Sequence, residues 1–283
     1  MSRPYAEVIG DPIAQSKSPT IHNFWLAKLG IDAEYRACHV RAEELEDYFA
    51  RRRGDAEWRG CNVTMPHKQA AMDQADLASE GARAIAAVNC VYRHGDQLVG
   101  DNTDGEGFLD SLPSHVGHKG LAIIVGAGGA ARAVAAALWT HGFQLAIANR
   151  TRDNARVVAD AVAGERSVEI GTPSLEQLRD IYLGPRSQQP QNLTLLVNTS
   201  LLGMSGKGSI DIDLAEVPKS VLICDIVYSP LETPLLAQAR RHGLETVDGL
   251  GMLIGQAAIA FEKFFGQPAP REHDAELRAL LTV

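Results

Sequence analysis

Three features of the sequence predict an α/β fold in two domains. Short apolar runs alternate with amphipathic stretches from residue 5 onward, the alternation restarts at residue 121, and the restart leads at once into a glycine-rich turn at 126–131. Alternating strands and helices build mostly parallel sheets with helices packed on their faces. A chain of 283 residues is long enough for two such domains.

Residues 5–9 form a short apolar run closed by Gly-Asp-Pro, a buried strand and turn. Ser18-Pro19 opens a helix, with Ser18 as cap and Pro19 in the first turn; Ile21, Phe24, Trp25 and Leu29 keep helical spacing, and Gly30 ends it. Residues 33–40 read as a strand, 42–53 as a charged amphipathic helix and 60–63 as a strand, and Pro66 starts a short helix carrying Lys68. Residues 87–92 and 97–99 flank His94-Gly95-Asp96, a hairpin with His94 at its tip. After the restart, 121–125 is a strand, 133–139 an Ala-rich helix and 144–148 the next strand. Helices at 152–162 and 174–182, strands at 193–197 and 221–227, and two closing helices at about 250–265 and 273–281 complete the reading.

Composition narrows the function. Lys and Arg total 27 against 35 Asp and Glu, a net charge of −8, so the chain carries no global attraction for nucleic acid or anionic lipid. No apolar stretch is long enough to span a bilayer, and the N-terminus has no signal-peptide pattern. Cys38, Cys61, Cys90 and Cys224 are far apart with no CxxC pair, which fits buried thiols in a reducing, cytoplasmic setting. His22, His67 and His94 share no ligand spacing with another His, Cys or acid, so no metal is expected.

The turn Gly126-Ala127-Gly128-Gly129-Ala130-Ala131 fits G-x-G-x-x-A between a strand and a helix. Such a turn lets backbone approach a pyrophosphate, and the helix N-terminus presents N–H groups to it. The next strand ends Asn149-Arg150-Thr151, where an NAD site usually places an acid for the ribose 2′-hydroxyl. An arginine suits a 2′-phosphate, so the cofactor reads as NADP, with Arg152 and Arg156 close by. A methyltransferase cofactor loop is the competing reading of the glycines alone.

Three polar motifs fall beyond the carboxyl ends of expected strands, where open α/β sheets bind ligands. They are 10–19 with Ser16 and Ser18, 62–68 with Asn62, Thr64 and Lys68, and 100–105 with Asp101, Asn102, Thr103 and Asp104. Hydroxyls, amides, a lysine and carboxylates suit a polyhydroxylated small molecule. Lys68 and Asp104 are the groups there able to donate or accept a proton near neutrality. A helix N-terminus at Pro66 would ease deprotonation of Lys68, and Asp104 would oppose it.

These motifs resemble the shikimate dehydrogenase family. G-x-P-I-x-x-S-x-S-P-x-x-H-N stands at 10–23, N-V-T-x-P-x-K at 62–68, G-D-N-T-D-G at 100–105, G-A-G-G-A at 126–130 and N-R-T at 149–151. Asp225-Ile226-Val227-Tyr228-Ser229-Pro230 and Asp248-Gly249-Leu250-Gly251-Met252, followed by Gln256, complete the set in order. The resemblance implies reversible reduction of 3-dehydroshikimate with NADPH. It implies Ser16, Ser18, Thr64, Asn89, Tyr228 and Gln256 as substrate contacts, with Lys68 and Asp104 as the catalytic pair. Gly126, Ala127, Gly128, Gly129, Ala130, Asn149, Arg150, Thr151, Ile226 and Gly249 would hold the cofactor. It further implies a discontinuous substrate domain, 1–104 plus 249–283, a Rossmann-like domain at 105–248 and an active site between them. The expected partners are small molecules, with the chain a monomer or homodimer. Three departures stand out: Gln15 where many members have His, Cys90 where Thr is usual, and Asn154 where a second arginine often clamps the 2′-phosphate. The alternatives are a quinate/shikimate dehydrogenase using NAD or both cofactors, and a catalytically silent NADP-binding regulator.

Overall fold

The computed structural model describes residues 3–117, 119–164, 169–185, 187 and 189–282. The chain divides into two compact units, Met1–Thr103 with Ile254–Val283, and Asp104–Leu253.

The first unit runs β1 (Tyr5–Gly10), α1 (Ser18–Leu29), β2 (Glu34–His39), a 3-10 turn into α2 (Leu45–Arg53), β3 (Trp58–Val63), β4 (Leu77–Ala78), α3 (Glu80–Ile85), β5 (Cys90–His94) and β6 (Gln97–Asp101). Its strands lie in the order β2-β1-β3-β5-β6-β4. β1 is parallel to β2 and β3, and β4 to β6, but β5 runs against both its neighbours. The sheet is therefore mostly parallel, as expected, with β5 as its antiparallel strand, because a two-residue turn, not a crossover helix, joins β5 to β6. That turn is Gly95-Asp96, with Gly95 at φ 60°. His94 pairs with Gln97 as the last strand residue, and so is not the tip.

One edge of this sheet collects four segments. Ile9 pairs with Val63, Asn62 with Cys90, and Cys90 with Asp101. The ends of β1, β3 and β6 and the start of β5 thus emerge together. Period-two alternation along β1 sorts its side chains: Tyr5 and Ile9 join Tyr48, Phe49, Trp58 and Leu98 on one face, while Ala6 and Val8 join Tyr35, Ala260 and Phe264 on the other. Glu7 also lies within the sheet, only 1% exposed. Its carboxylate accepts Arg52 at 2.8 and 3.0 Å, Arg36 at 3.1 Å and Tyr48 at 2.8 Å. A buried charge needs such paired donors, and losing one of them costs more than the pair contributes.

The second unit runs α4 (Asp104–Asp110), β7 (Leu121–Val125), α5 (Gly129–Thr140), β8 (Gln144–Ala148), α6 (Arg152–Ala163), α7 (Leu175–Gln177) continued by a π turn, β9 (Leu193–Asn198), β10 (Leu222–Asp225), α8 (Pro234–Arg241) and β11 (Thr246–Val247). Its strands are all parallel, in the order β11-β10-β9-β7-β8. Each residue of β7 is buried, as its uninterrupted apolar run requires of a strand covered on both faces. Helices α9 (Gly249–Phe265) and α10 (Asp274–Leu281) close the chain.

Two local expectations change. The N-cap of α1 is Lys17, and Ser18 is already helical, its N–H donating to Ser16 Oγ at 3.3 Å. Residues 65–69 form hydrogen-bonded turns rather than a helix, leading into a 3-10 segment at Ala70–Gln74. Lys68 therefore has no α-helix dipole behind it. Among the described residues no helix is long and apolar enough to cross a membrane.

Candidate active site

At the shared edge of the first sheet, loops are locked together by backbone. A Cβ on Gly10 would sit 2.5 Å from Thr64 Cγ2, so only glycine lets the two strand ends meet. Thr64 N–H donates to the Ile9 carbonyl at 2.9 Å, and Asp11 N–H to the Met65 carbonyl at 3.1 Å. The turn bearing Ser16 closes on Ile13, whose carbonyl accepts the Ser16 N–H at 3.0 Å. Val88 N–H donates to the Lys68 carbonyl at 2.8 Å, fixing the Lys68 turn to the residue before Asn89.

Asn89 is the hub of this edge. Its carbonyl accepts Val63 N–H at 2.7 Å and Asn62 Nδ2 at 3.3 Å, and its N–H donates to the Asp101 carbonyl at 3.0 Å. Its side chain is buried: Oδ1 accepts Thr103 N–H at 2.8 Å, and Nδ2 donates to Thr103 Oγ1 at 3.0 Å and to Gln256 Oε1 at 3.5 Å. Thr103 Oγ1 donates to the Gln256 carbonyl at 3.0 Å. Thr64, Lys68, Asn89 and Gln256 are thus gathered on one unit, with the Ser16 and Ser18 segment entering α1 beside them.

Two residues in these motifs are structural. His67 is buried with Nε2 2.6 Å from the Val40 carbonyl. His22 is fully buried, stacked on Tyr35, and burial pushes its pKa down to about 3. Tyr35 in turn donates its hydroxyl to Asn62 Oδ1 at 2.7 Å.

Asp104 and Tyr228 belong to the second unit. Asp104 opens α4 and is 6% exposed. A Cβ on the next residue, Gly105, would lie 2.7 Å from the Ala133 carbonyl, so glycine lets α4 lie close on α5 and sets the backbone that carries Asp104. Tyr228 follows β10, and burial raises its pKa.

The carboxyl ends of the second sheet converge in the same manner. Gly126 ends β7 at φ 125°, and a Cβ there would lie 2.5 Å from Thr199 Oγ1. Gly126 N–H donates to the Ala148 carbonyl, Thr199 N–H to the Val125 carbonyl, and Ile226 N–H to the Asn198 carbonyl, at 2.8, 2.8 and 3.0 Å. The chain passes from β7 outward to β8 and returns to β9 on the other side, which makes the β7–β9 gap the topological switch point. Gly249 closes on the same region: a Cβ would lie 2.1 Å from the Ile226 carbonyl oxygen.

These residues fit a dinucleotide. Gly128 caps α5 with no side-chain hydrogen bond, and a Cβ there would meet nothing within 4 Å, so the space beside the cap is open. Arg152 Nε donates to the Thr172 carbonyl at 2.7 Å and Arg156 pairs with Asp153 at 3.0 Å, whereas exposed Arg150 makes neither hydrogen bond nor ion pair among the described residues. Asn149 Nδ2 donates to the Thr151 carbonyl at 3.0 Å and fixes the turn between them. Among the described residues no group of three or more His, Cys, Asp or Glu could hold a metal ion.

Sequence reasoning passed over Asp225, which organises this edge. Its Oδ1 accepts Asn198 Nδ2 at 2.9 Å and Val227 N–H at 3.0 Å, and its Oδ2 accepts the Thr233 hydroxyl at 2.6 Å. Burial raises its pKa to about 6 against the pull of those bonds. Its place at the head of the Asp-Ile-Val-Tyr-Ser-Pro motif was the available signal.

Comparison with known proteins agrees across the chain. Residues 8–91 match the shikimate dehydrogenase substrate binding domain, 110–181 the shikimate / quinate 5-dehydrogenase domain and 249–276 the shikimate 5′-dehydrogenase C-terminal domain. A shikimate dehydrogenase (NADP(+)) of Sphingopyxis alaskensis is 48% identical over 99% of this chain and 97% of the relative. The crystal structure of shikimate 5-dehydrogenase from Thermus thermophilus in complex with NADP(H) and shikimate is similar at a TM-score of 0.85 and 33% identity, over 98% of this chain and 99% of that one. Quinate dehydrogenase from Corynebacterium glutamicum in complex with NAD is similar at 0.85 and 29%, over 98% and 99%.

Proposed function

The chain belongs to the shikimate dehydrogenase family, and on that premise we propose that it catalyses the reversible NADPH-dependent reduction of 3-dehydroshikimate to shikimate. The observation that carries this reading is the hub at Asn89, which ties Val63, Lys68, Thr103 and Gln256 to one sheet edge through its own bonds and those of Val88. On this reading the unit bearing that hub binds the substrate, and the unit with the glycine loop binds NADP.

When bound, NADPH supplies the hydride that reaches the substrate's carbonyl carbon. Ser16, Ser18, Thr64, Asn89, Tyr228 and Gln256 hold the ring by its hydroxyls and carboxylate, which converts the encounter into an oriented one. Lys68 Nζ donates the proton that the carbonyl oxygen needs as it gains charge, and takes it back in the oxidative direction. Asp104, the other member of the catalytic pair, holds the substrate hydroxyl. Gly126 to Ala130 and Gly249 give backbone access to the cofactor, Asn149 and Thr151 shape the turn, Ile226 lines it, and Arg150 takes the 2′-phosphate.

The enzyme acts on small molecules in the cytoplasm, as a monomer or homodimer, without nucleic-acid or membrane partners. Its free thiols and net charge of −8 support that setting. Absorbance at the reduced-nicotinamide band, with shikimate and quinate each offered with NADP and NAD, tests the assignment. Turnover should be fastest with shikimate and NADP. Preference for quinate or NAD would make the chain a quinate/shikimate dehydrogenase, and no turnover with any pair would make it an NADP-binding regulator.

A further inference from the structure

We propose that Lys263, through its ion pair with Asp101, is a positioning residue that sets where α9 presents Gln256 to Asn89 and hence to the substrate. The inference rests on the activity proposed above.

Lys263 Nζ lies 2.8 Å from Asp101 Oδ2, with the two side chains 24% and 20% exposed. It also sits over the ring of Tyr92, 5.1 Å from its centroid. One ammonium on α9 is therefore gripped by β5 and by the end of β6. Surface ion pairs contribute little, but this one is largely withdrawn from water and sits in a network. Asp101 also accepts the Ser79 hydroxyl at 2.6 Å and Asn102 N–H at 2.8 Å. Ser79 in turn caps α3 by accepting Ala82 N–H at 3.1 Å. Burial works against charge on Asp101, yet the bonds from Lys263 and Ser79 outweigh it and its pKa is lowered, while that of Lys263 is raised. Both partners stay ionised across neutrality.

Geometry connects this pair to the hub. Gln256 and Lys263 are seven residues apart on α9, two turns and so one face, about 10 Å along the axis. Asp101 and Thr103 are two residues apart where β6 ends. The helix is thus pinned to the β6 exit twice: by Thr103 on the Gln256 carbonyl and by Asp101 on Lys263. Ala260 and Phe264 hold the helix against β1, and the two polar pins add to that packing by restricting its rotation and axial register at Gln256. The 3.5 Å approach of Asn89 Nδ2 to Gln256 Oε1 is a long hydrogen bond, the kind a small slide would break.

The test uses the full chain with Lys263→Met, Lys263→Arg and Asp101→Asn. Amide exchange in the ligand-free protein is read first. Lys263→Met should speed exchange at residues 255–258 by about tenfold, leave β7 unchanged, and be rescued by Lys263→Arg. In steady state, Lys263→Met and Asp101→Asn should raise KM for shikimate about tenfold with KM for NADP unchanged, again with rescue by arginine. Unaltered exchange around Gln256 overturns the proposal, as does a shikimate KM that stays at the parental value or an equal rise for both substrates. If the parent chain turns over no shikimate, the assigned activity falls, and the exchange result alone still decides the role of Lys263.

Discussion

The imidazole of His22 lies flat against the phenol of Tyr35, 3.9 Å between centroids and 4° from parallel, and neither ring nitrogen finds a hydrogen-bond partner. Trp25, Phe261 and Phe264 complete the enclosure. The ring is held neutral inside an aromatic box, with a pKa lowered by burial to about 3.

A pH dependence of stability follows. The unfolded chain binds a proton at His22 below about pH 6.5, whereas the folded chain refuses it until about pH 3. Between those values the unfolded state holds more protons, so stability falls as pH falls. The full span is worth roughly 5 kcal/mol at 1.36 kcal/mol per pKa unit, with about 3 kcal/mol of it lost above pH 4. Urea midpoints from pH 7 to pH 4 should show this loss, and His22→Phe should remove most of it. A parallel decline in His22→Phe would place the acid sensitivity elsewhere.

Cofactor preference should follow Arg150, whose guanidinium is the uncommitted one of the three beside this turn. Arg150→Ala is expected to weaken NADP by about 1–3 kcal/mol, the range of a charge-assisted contact, and NAD hardly at all. Arg152→Ala and Arg156→Ala should matter less, since those side chains already serve Thr172 and Asp153. Titration of both cofactors against the three variants checks this; equal losses for NADP and NAD in Arg150→Ala would contradict it.

Proton transfer should fail without Lys68. Lys68→Ala is expected to lower kcat by ~10²–10⁴-fold with NADP binding nearly intact. If kcat stays near normal across pH, Asp104 acting through water becomes the proton carrier.

Close packing at Gly249 makes a further prediction. An added Cβ would lie 2.1 Å from the Ile226 carbonyl oxygen and 2.8 Å from the Val227 carbonyl carbon, both backbone and unable to swing aside. Gly249→Ala should destabilise the second unit by about 1–3 kcal/mol, as overpacking does, and weaken NADP binding. Thermal melting with and without NADP measures both effects.

Much of this architecture was legible in the residues. The apolar run at Leu121–Val125, the glycine turn after it and the strand at Gln144–Ala148 stand where periodicity put them, because strands buried on both faces have little freedom to read otherwise. The motif residues Thr64, Lys68 and Asn89 do meet at one edge. What failed was local and short. Pro66 suggested a helix, but the Lys68 backbone instead accepts Val88 N–H, a long-range bond no window of sequence contains. Ser18 looked like a cap until Lys17 took that position. Strand β4, two residues long, and helix α8 carry too few periodic positions to register. Lys263 reads in sequence as one more surface lysine; only the fold brings Asp101 to it.

The two-residue turn Gly95-Asp96 lies at the end of the first sheet remote from its crowded edge, about five residues or roughly 16 Å of strand away from Asn89 and Asp101. Cys61, Cys90 and Cys224 are buried, and Cys38 is half-covered with its thiol pKa raised by burial. An Asp96→Cys substitution would therefore create the most reactive thiol among the described residues, in a place that can carry a dye. Such a label would report on the substrate-binding half of the molecule in solution, by fluorescence, while leaving its chemistry undisturbed.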